Sequence, residues 1–176
     1  MKILAFIGSA TQNSSNLKLV ESIKALMPHF EIEVINNLSD LPHFDTELTT
    51  ENTPEIVEVF REKIENADGI IFSTPEYIFS IPSRLKNLLE WCVSTTIFDE
   101  KPVSIITASA SGEKGHEELN LILKTLGANI NDNDCLLIKG IKGRFDENGL
   151  MNADLEKQIK QIMFNFNNSL ENCLRK

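Results

Sequence analysis

IIFSTPEYIFSIPSRLKNLLEW, residues Ile70 to Trp91, sets the frame for reading this chain. The continuous apolar run Ile70-Ile71-Phe72 has the composition of a strand buried on both faces, and it meets Ser73-Thr74-Pro75. Pro75 ends the strand because it has no N–H for the ladder, whereas Pro82 suits the first turn of a helix, where that N–H is not needed. From Pro82 the spacing turns helical, with Leu85, Leu88, Leu89 and Cys92 on one stripe. A strand therefore empties into an irregular loop before a helix. In an open parallel sheet such loops line the crevice at the carboxyl ends of the strands, where ligands bind. Pro75 and Tyr77 offer an apolar and aromatic wall, and the loop backbone offers donors, which suits a planar ring. A plain strand-to-helix connection would use the same residues.

The same unit recurs along the chain. Lys2 to Ile7 reads as a buried strand and runs into Gly8-Ser9-Ala10-Thr11-Gln12-Asn13-Ser14-Ser15-Asn16. A helix follows, with Leu19, Val20, Ile23, Leu26 and Met27 on one face. That loop is crowded with hydroxyl and amide groups at a helix amino terminus, where free N–H groups and the helix dipole favour an anion such as phosphate. Ser and Asn are also ordinary helix caps and turn formers. The loop is neither Gly-x-Gly-x-x-Gly nor Gly-Lys-Ser/Thr, so a dinucleotide fingerprint and a nucleoside triphosphatase loop are both unsupported. Glu31 to Ile35 is a short second strand, and Pro54 to Ala67 a helix with Val57, Phe60, Ile64 and Ala67 inward. Val103 to Ala108 is a fourth strand, opening into Ser109-Ala110-Ser111-Gly112 before a helix carrying Leu119, Ile122, Leu123 and Leu126. Cys135 to Ile138 is a fifth strand, and Asp154 to Leu174 a final amphipathic helix. Five strands alternating with five helices predict one α/β domain over residues 1–176, a doubly wound parallel sheet with helices on both faces. Its expected flavodoxin-like strand order is 2-1-3-4-5, under which the loops after strands one, three and four converge.

The central stretch also resembles the Thr-Pro-Glu-Tyr-Asn-x-Ser-Ile-Pro-x-x-Leu-Lys-Asn-x-x-(Asp/Glu)-Trp signature of the NADPH-dependent FMN reductase family, which includes quinone, azo-dye and chromate reductases. Thr74 to Tyr77, Ser80 to Pro82, Leu85 to Asn87, Glu90 and Trp91 match. Ile78 stands where the family has Asn, and Phe79 where it has a small residue such as Gly. The first loop resembles the family's Gly-Ser-x-Arg-x-x-Ser-x-Asn phosphate loop through Gly8, Ser9, Ser14 and Asn16, with Thr11 in place of the arginine. The loop after the fourth strand resembles its Ser-x-Gly segment. The resemblance implies an FMN site built from Ser9, Thr11, Ser14, Ser15 and Asn16; from Pro75, Glu76, Tyr77, Ile78 and Phe79; and from Ser109, Ser111 and Gly112. Leu41-Pro42-His43-Phe44-Asp45 resembles a further family segment near the site or a subunit interface. A homodimer or a tetramer of dimers is implied, with Tyr77, Trp91 and the Phe44 segment as candidate interface contributors; Trp91, beside the buried stripe of its helix, reads as either core or dimer contact.

Composition narrows the partners. A net charge of −9, with Lys and Arg scattered singly, opposes nucleic acid and anionic membrane, both of which need a basic face. No apolar run approaches the ~20 residues that span a bilayer. The amino-terminal apolar stretch is too short for a signal segment and reads as the first strand. Three widely spaced cysteines without Cys-x-x-Cys or His spacing predict free thiols in a reducing cytoplasm and no metal site. His29, His43 and His116 have no ligand-type partners at helical spacing.

Together these readings predict an oxidoreductase that uses NADPH or NADH to reduce FMN, and passes the electrons to a quinone, free flavin or similar acceptor. A bound flavin does the redox chemistry, so no catalytic side chain is assigned. Two other readings stay open at this stage: a flavodoxin-type electron carrier that does not react with NAD(P)H, and a divergent member whose FMN binding is weakened or lost through Thr11, Ile78 and Phe79.

Overall fold

Strands that are apolar on both faces need helices on both sides, and the chain supplies them. A computed structural model describes residues 1–11 and 13–175. Strands β1 (Lys2–Ile7), β2 (Glu31–Ile35), β3 (Gly69–Thr74), β4 (Val103–Ser109) and β5 (Cys135–Lys139) form one sheet in the order β2-β1-β3-β4-β5. Every pairing is parallel. Helices α1 (Ser15–Leu26), α2 (Glu55–Glu65), α3 (Ser83–Trp91), α4 (Glu113–Thr125) and α5 (Ala153–Leu174) alternate with the strands. This is the architecture expected from the sequence.

The two-residue period of β1 divides the core. Leu4 and Phe6 point to the side covered by α2, α3 and α4, where Phe6, Phe72, Val57, Ile64, Leu85, Leu88 and Leu119 pack together. Ile3, Ala5 and Ile7 point to the side covered by α1 and α5, with Leu19, Ile23, Ile159 and Phe166. β3 is buried at all six positions and runs on past its apolar residues through Ser73 and Thr74. Their hydroxyls are satisfied inside the protein, Ser73 Oγ donating to Asn16 Oδ1 (3.0 Å) and Thr74 Oγ1 to the Pro75 carbonyl (3.0 Å). Buried hydroxyls are tolerated only on such terms.

Trp91, read from the sequence as either core or dimer contact, lies inside the protomer at 1% exposure. Its Nε1 donates to the Pro42 carbonyl (2.9 Å), and its ring meets Phe44 edge-on at 5.4 Å. Asn87 holds the same segment from both sides, donating to the Pro42 carbonyl (2.8 Å) and accepting from the Phe44 N–H (2.8 Å). The Leu41 to Asp45 connection is thus clasped to α3. The buried guanidinium of Arg61 closes the other end of that helix, with Nη2 donating to the carbonyls of Trp91 (2.6 Å) and Thr49 (3.1 Å). A cation here also meets the negative end of the helix dipole. Together Asn87 and Arg61 fix α3, and with it the loop that precedes it.

Candidate active site

The sheet order reverses direction at β1, whose neighbours β2 and β3 lie on opposite sides, and this topology opens a crevice beyond the carboxyl ends of the strands. A cleft of about 540 Å³ lies there, within the 300–1,000 Å³ usual for a small-molecule or cofactor site. Three loops meet in it.

The first follows β1. Gly8 N–H donates to the Ser73 carbonyl (2.9 Å), carrying the β1–β3 ladder one residue beyond the strand. Glycine is required at this point, since a Cβ would stand 2.2 Å from Thr74 Oγ1. Ser9, Thr11, Asn13, Ser14, Ser15 and Asn16 line the cleft. Ser14 is the N-cap of α1, its Oγ accepting from Leu17 N–H (3.1 Å). Among the described residues the amides of Ser15 and Asn16 take no partner, so the helix presents free donors and the positive end of its dipole. The Asn16 side chain is not one of these donors. It is 3% exposed, and its Nδ2 donates to the Ala108 carbonyl (3.1 Å) while its Oδ1 accepts from Ser73. Its amide braces the ends of β3 and β4 against α1.

The second loop follows β3, and of its expected contacts Pro75, Glu76 and Tyr77 line the cleft. Tyr77 Oη and Ser9 Oγ approach to 3.4 Å, joining the first two loops across it. Two carboxylates pin the loop to α4. Glu76 Oε2 accepts the Gly115 N–H (2.9 Å), completing the first turn of that helix, and Glu118 Oε2 accepts from Ser80 Oγ (2.6 Å) and Ile81 N–H (2.9 Å). Gly115 lets α4 approach this closely, as a Cβ there would sit 3.3 Å from both the Glu76 Cβ and the Ser80 carbonyl. The Glu76 carboxylate is therefore committed to the fold. Ile78 and Phe79 do not line the cleft. They form the exposed tip of the loop, at 94% and 76% exposure.

The third loop follows β4 and contributes Ala108, Ser109 and Ala110. Ser111 and Gly112 fall outside the lining. Gly112 instead starts α4 in a left-handed conformation (φ 92°), close against Leu137 and Thr107. A fourth segment, Gly140 to Lys142 after β5, also borders the cleft and was not singled out from the sequence. Of the thirteen expected residues the structure gathers nine here, omitting Ile78, Phe79, Ser111 and Gly112. Among the described residues no cluster of His, Cys, Asp or Glu could hold a metal ion, and no helix is long and apolar enough to cross a membrane.

His116 on α4 stands behind the third loop, its Nδ1 2.8 Å from Thr107 Oγ1. Burial holds its pKa below the ordinary histidine value, with Glu117 acting in the opposite sense. As pH falls, the unfolded chain protonates this imidazole before the folded one does, so its contribution to stability declines below about pH 6.5 and levels off once the folded form also protonates. His116→Gln should flatten that part of the pH dependence, measured as the urea midpoint across this range.

The fit to a flavin mononucleotide is direct. The free amides and hydroxyls at α1 suit a phosphate, and the wall formed by Pro75, Tyr77 and the small residues Ala108 to Ala110 admits a flat ring. Fold and cleft together define a flavodoxin-like mononucleotide-binding protein. Residues 1–140 match the family model for NADPH-dependent FMN reductase, and the chain belongs to that family. The NADH-dependent flavin reductase subunit 2 of Lactobacillus johnsonii is 34% identical, over 96% of this chain and 95% of the relative. An NADPH:quinone oxidoreductase of Arabidopsis thaliana is 34% identical over 69% of this chain and 64% of its own length. Among solved structures, the flavoenzyme NAD(P)H:(acceptor) oxidoreductase of Paracoccus denitrificans shares the fold at a TM-score of 0.85, with 22% identity and 97% coverage of both chains.

Proposed function

We propose that this chain is an NAD(P)H-dependent flavin oxidoreductase in which residues 1–176 act as one domain and the cleft holds FMN. The observation that carries this reading is the convergence of free α1 amides, hydroxyl groups and a flat apolar wall in one cleft, in a chain of the FMN reductase family. Ser9, Thr11, Ser14 and Ser15, with the α1 amides, would hold the phosphate. Pro75, Tyr77, Ser109 and Ala110 would flank the ring. When bound, FMN supplies hydride acceptance from a nicotinamide and onward electron transfer.

The chain's own part is to position and exclude water. Tyr77 is 41% exposed at the mouth, where a nicotinamide and then an acceptor would enter in turn. Among the described residues no histidine lines the cleft, and the carboxylate of Glu76 is engaged by Gly115, so protons for a reduced acceptor would come from solvent. The names of the relatives support a quinone or a flavin as acceptor. An apolar surface formed by Phe44, Leu89, Val93, Leu121, Ile122 and Leu126 supports a homodimer or a tetramer of dimers. Free thiols at Cys92, Cys135 and Cys173 suit a cytoplasmic protein.

The test is an anaerobic visible spectrum of the purified chain with FMN, before and after NADPH or NADH. Perturbed flavin bands that bleach with reductant and return on adding a quinone are the expected result. Binding without bleaching would favour an electron carrier, and no binding would remove the cofactor from this reading.

A further inference from the structure

A phosphate monoester carries a charge of about −1.5 to −2 at neutral pH, and this chain already carries −9, so a dianion approaching the cleft meets a repulsive field. The loop after β1 answers with neutral donors only, Thr11 standing where the family resemblance sets an arginine. We propose that Lys142, on the far side of the chain's sequence, supplies the missing positive charge to the FMN phosphate; this inference rests on the FMN reading above.

Three observations carry it. Among the described residues Lys142 is the one cation lining the cleft, and it makes no ion pair or hydrogen bond with them. Its basic neighbours are both taken: Lys139 pairs with Glu113, and Arg144 with Asp154 at 2.7 Å. Lys142 is also firmly tethered. Gly140, at φ 63°, turns the chain at the end of β5 and donates to the Ala110 carbonyl (3.3 Å), while Gly143 N–H closes the turn Ile141–Arg144 onto the Gly140 carbonyl (3.0 Å). Ile141 is buried in the core layer shared with Leu19 and Val20 of α1. The turn therefore lies on the α1 side of the sheet, the side on which the phosphate donors stand. A lysine on a long stem at such a place acts as a point charge on an anion and needs no fixed fork geometry.

Dissociation constants for FMN and for riboflavin, which lacks the phosphate, can be read by quenching of flavin fluorescence with the full chain and its Lys142→Gln variant. FMN binding should weaken about tenfold in Lys142→Gln, the scale of one charge-assisted hydrogen bond, with riboflavin unchanged. Added salt should weaken FMN binding by the parent chain more steeply than by the variant. Thr11→Arg placed in the Lys142→Gln background should recover FMN affinity. An FMN constant within about twofold of the parent overturns the proposal, as does an equal loss for riboflavin, which would mark a packing role. A raised KM for NADPH but not NADH, at unchanged FMN affinity, also overturns it and assigns the lysine to the phosphate of the reductant. A parent chain that binds neither flavin overturns the FMN reading itself, a result distinct from all of these.

Discussion

Asn16→Ala should lower the unfolding free energy by about 2–4 kcal/mol, because it takes a hydrogen-bond partner from each of two buried groups. The Ala108 carbonyl loses the Asn16 Nδ2 donor, and the Ser73 hydroxyl loses its better acceptor, keeping only a 3.3 Å contact to the Asn16 carbonyl. Solvent has little access to either group, since Asn16 is 3% exposed and Ser73 fully buried. For a chain of this size the loss corresponds to a fall in melting temperature of roughly 5–15 °C. Asn16→Asp should do nearly as much harm, because a carboxylate can serve Ser73 but offers nothing to Ala108. The functional consequence follows from the same geometry. Asn16 ties the first turn of α1 to the ends of β3 and β4, so its removal loosens the free α1 amides relative to the loops after those strands. FMN affinity should therefore fall even though the Asn16 side chain is not free to touch a ligand. A thermal melt and a flavin titration on the one variant test both parts, and a variant that melts like the parent would show that the brace is dispensable.

That residue also illustrates what the sequence can and cannot disclose. β1 and β3 are legible because burial on both faces gives each a continuous apolar run, Ile3 to Ile7 and Ile70 to Phe72, and Pro75 and Pro82 mark the loop ends through local backbone chemistry. The first loop announces a helix start and a phosphate-type composition at once. Whether Asn16 faces ligand or protein depends on Ala108, ninety-two positions away, and no local pattern encodes that distance. Glu76 is a similar case, its carboxylate absorbed by the amino terminus of a helix that begins far along the chain. Trp91 sits at the edge of its helical stripe in sequence yet is enclosed, because the Pro42 to Phe44 segment folds back over it. Lys142 carries no motif at all. It lies in a polar connection, and only the turn at Gly140 brings it to the cleft.

Ile78→Asn combined with Phe79→Gly should raise stability by about 1–2 kcal/mol, against the usual direction of surface changes. Tyr77 and Ser80 exchange both backbone bonds, Tyr77 N–H to the Ser80 carbonyl (2.9 Å) and Ser80 N–H to the Tyr77 carbonyl (3.1 Å). The two residues between them have φ values of 50° and 59°. A two-residue turn with both central residues left-handed is the type for which Asn-Gly is preferred, so the family pattern at these positions is a backbone requirement. Here a β-branched residue and a bulky aromatic occupy it instead, each strained by the approach of its Cβ to the backbone. Neither recovers that cost by packing, as both side chains are largely exposed. The turn holds its shape because Glu118 grips Ser80 and Ile81 on one side and Glu76 grips Gly115 on the other. Glycine at position 79 returns some of the gain through greater freedom of the unfolded chain, which is why the expected increment is smaller than the sum of two relieved residues. FMN affinity should stay unchanged, because neither side chain lines the cleft and Tyr77 keeps its place. Urea denaturation of the parent, both single variants and the pair settles the stability claim. Ile78→Asn alone should supply the larger share, since the branched side chain carries the greater left-handed penalty. If the pair is no more stable than the parent, the left-handed turn is not the conformation the chain keeps in solution.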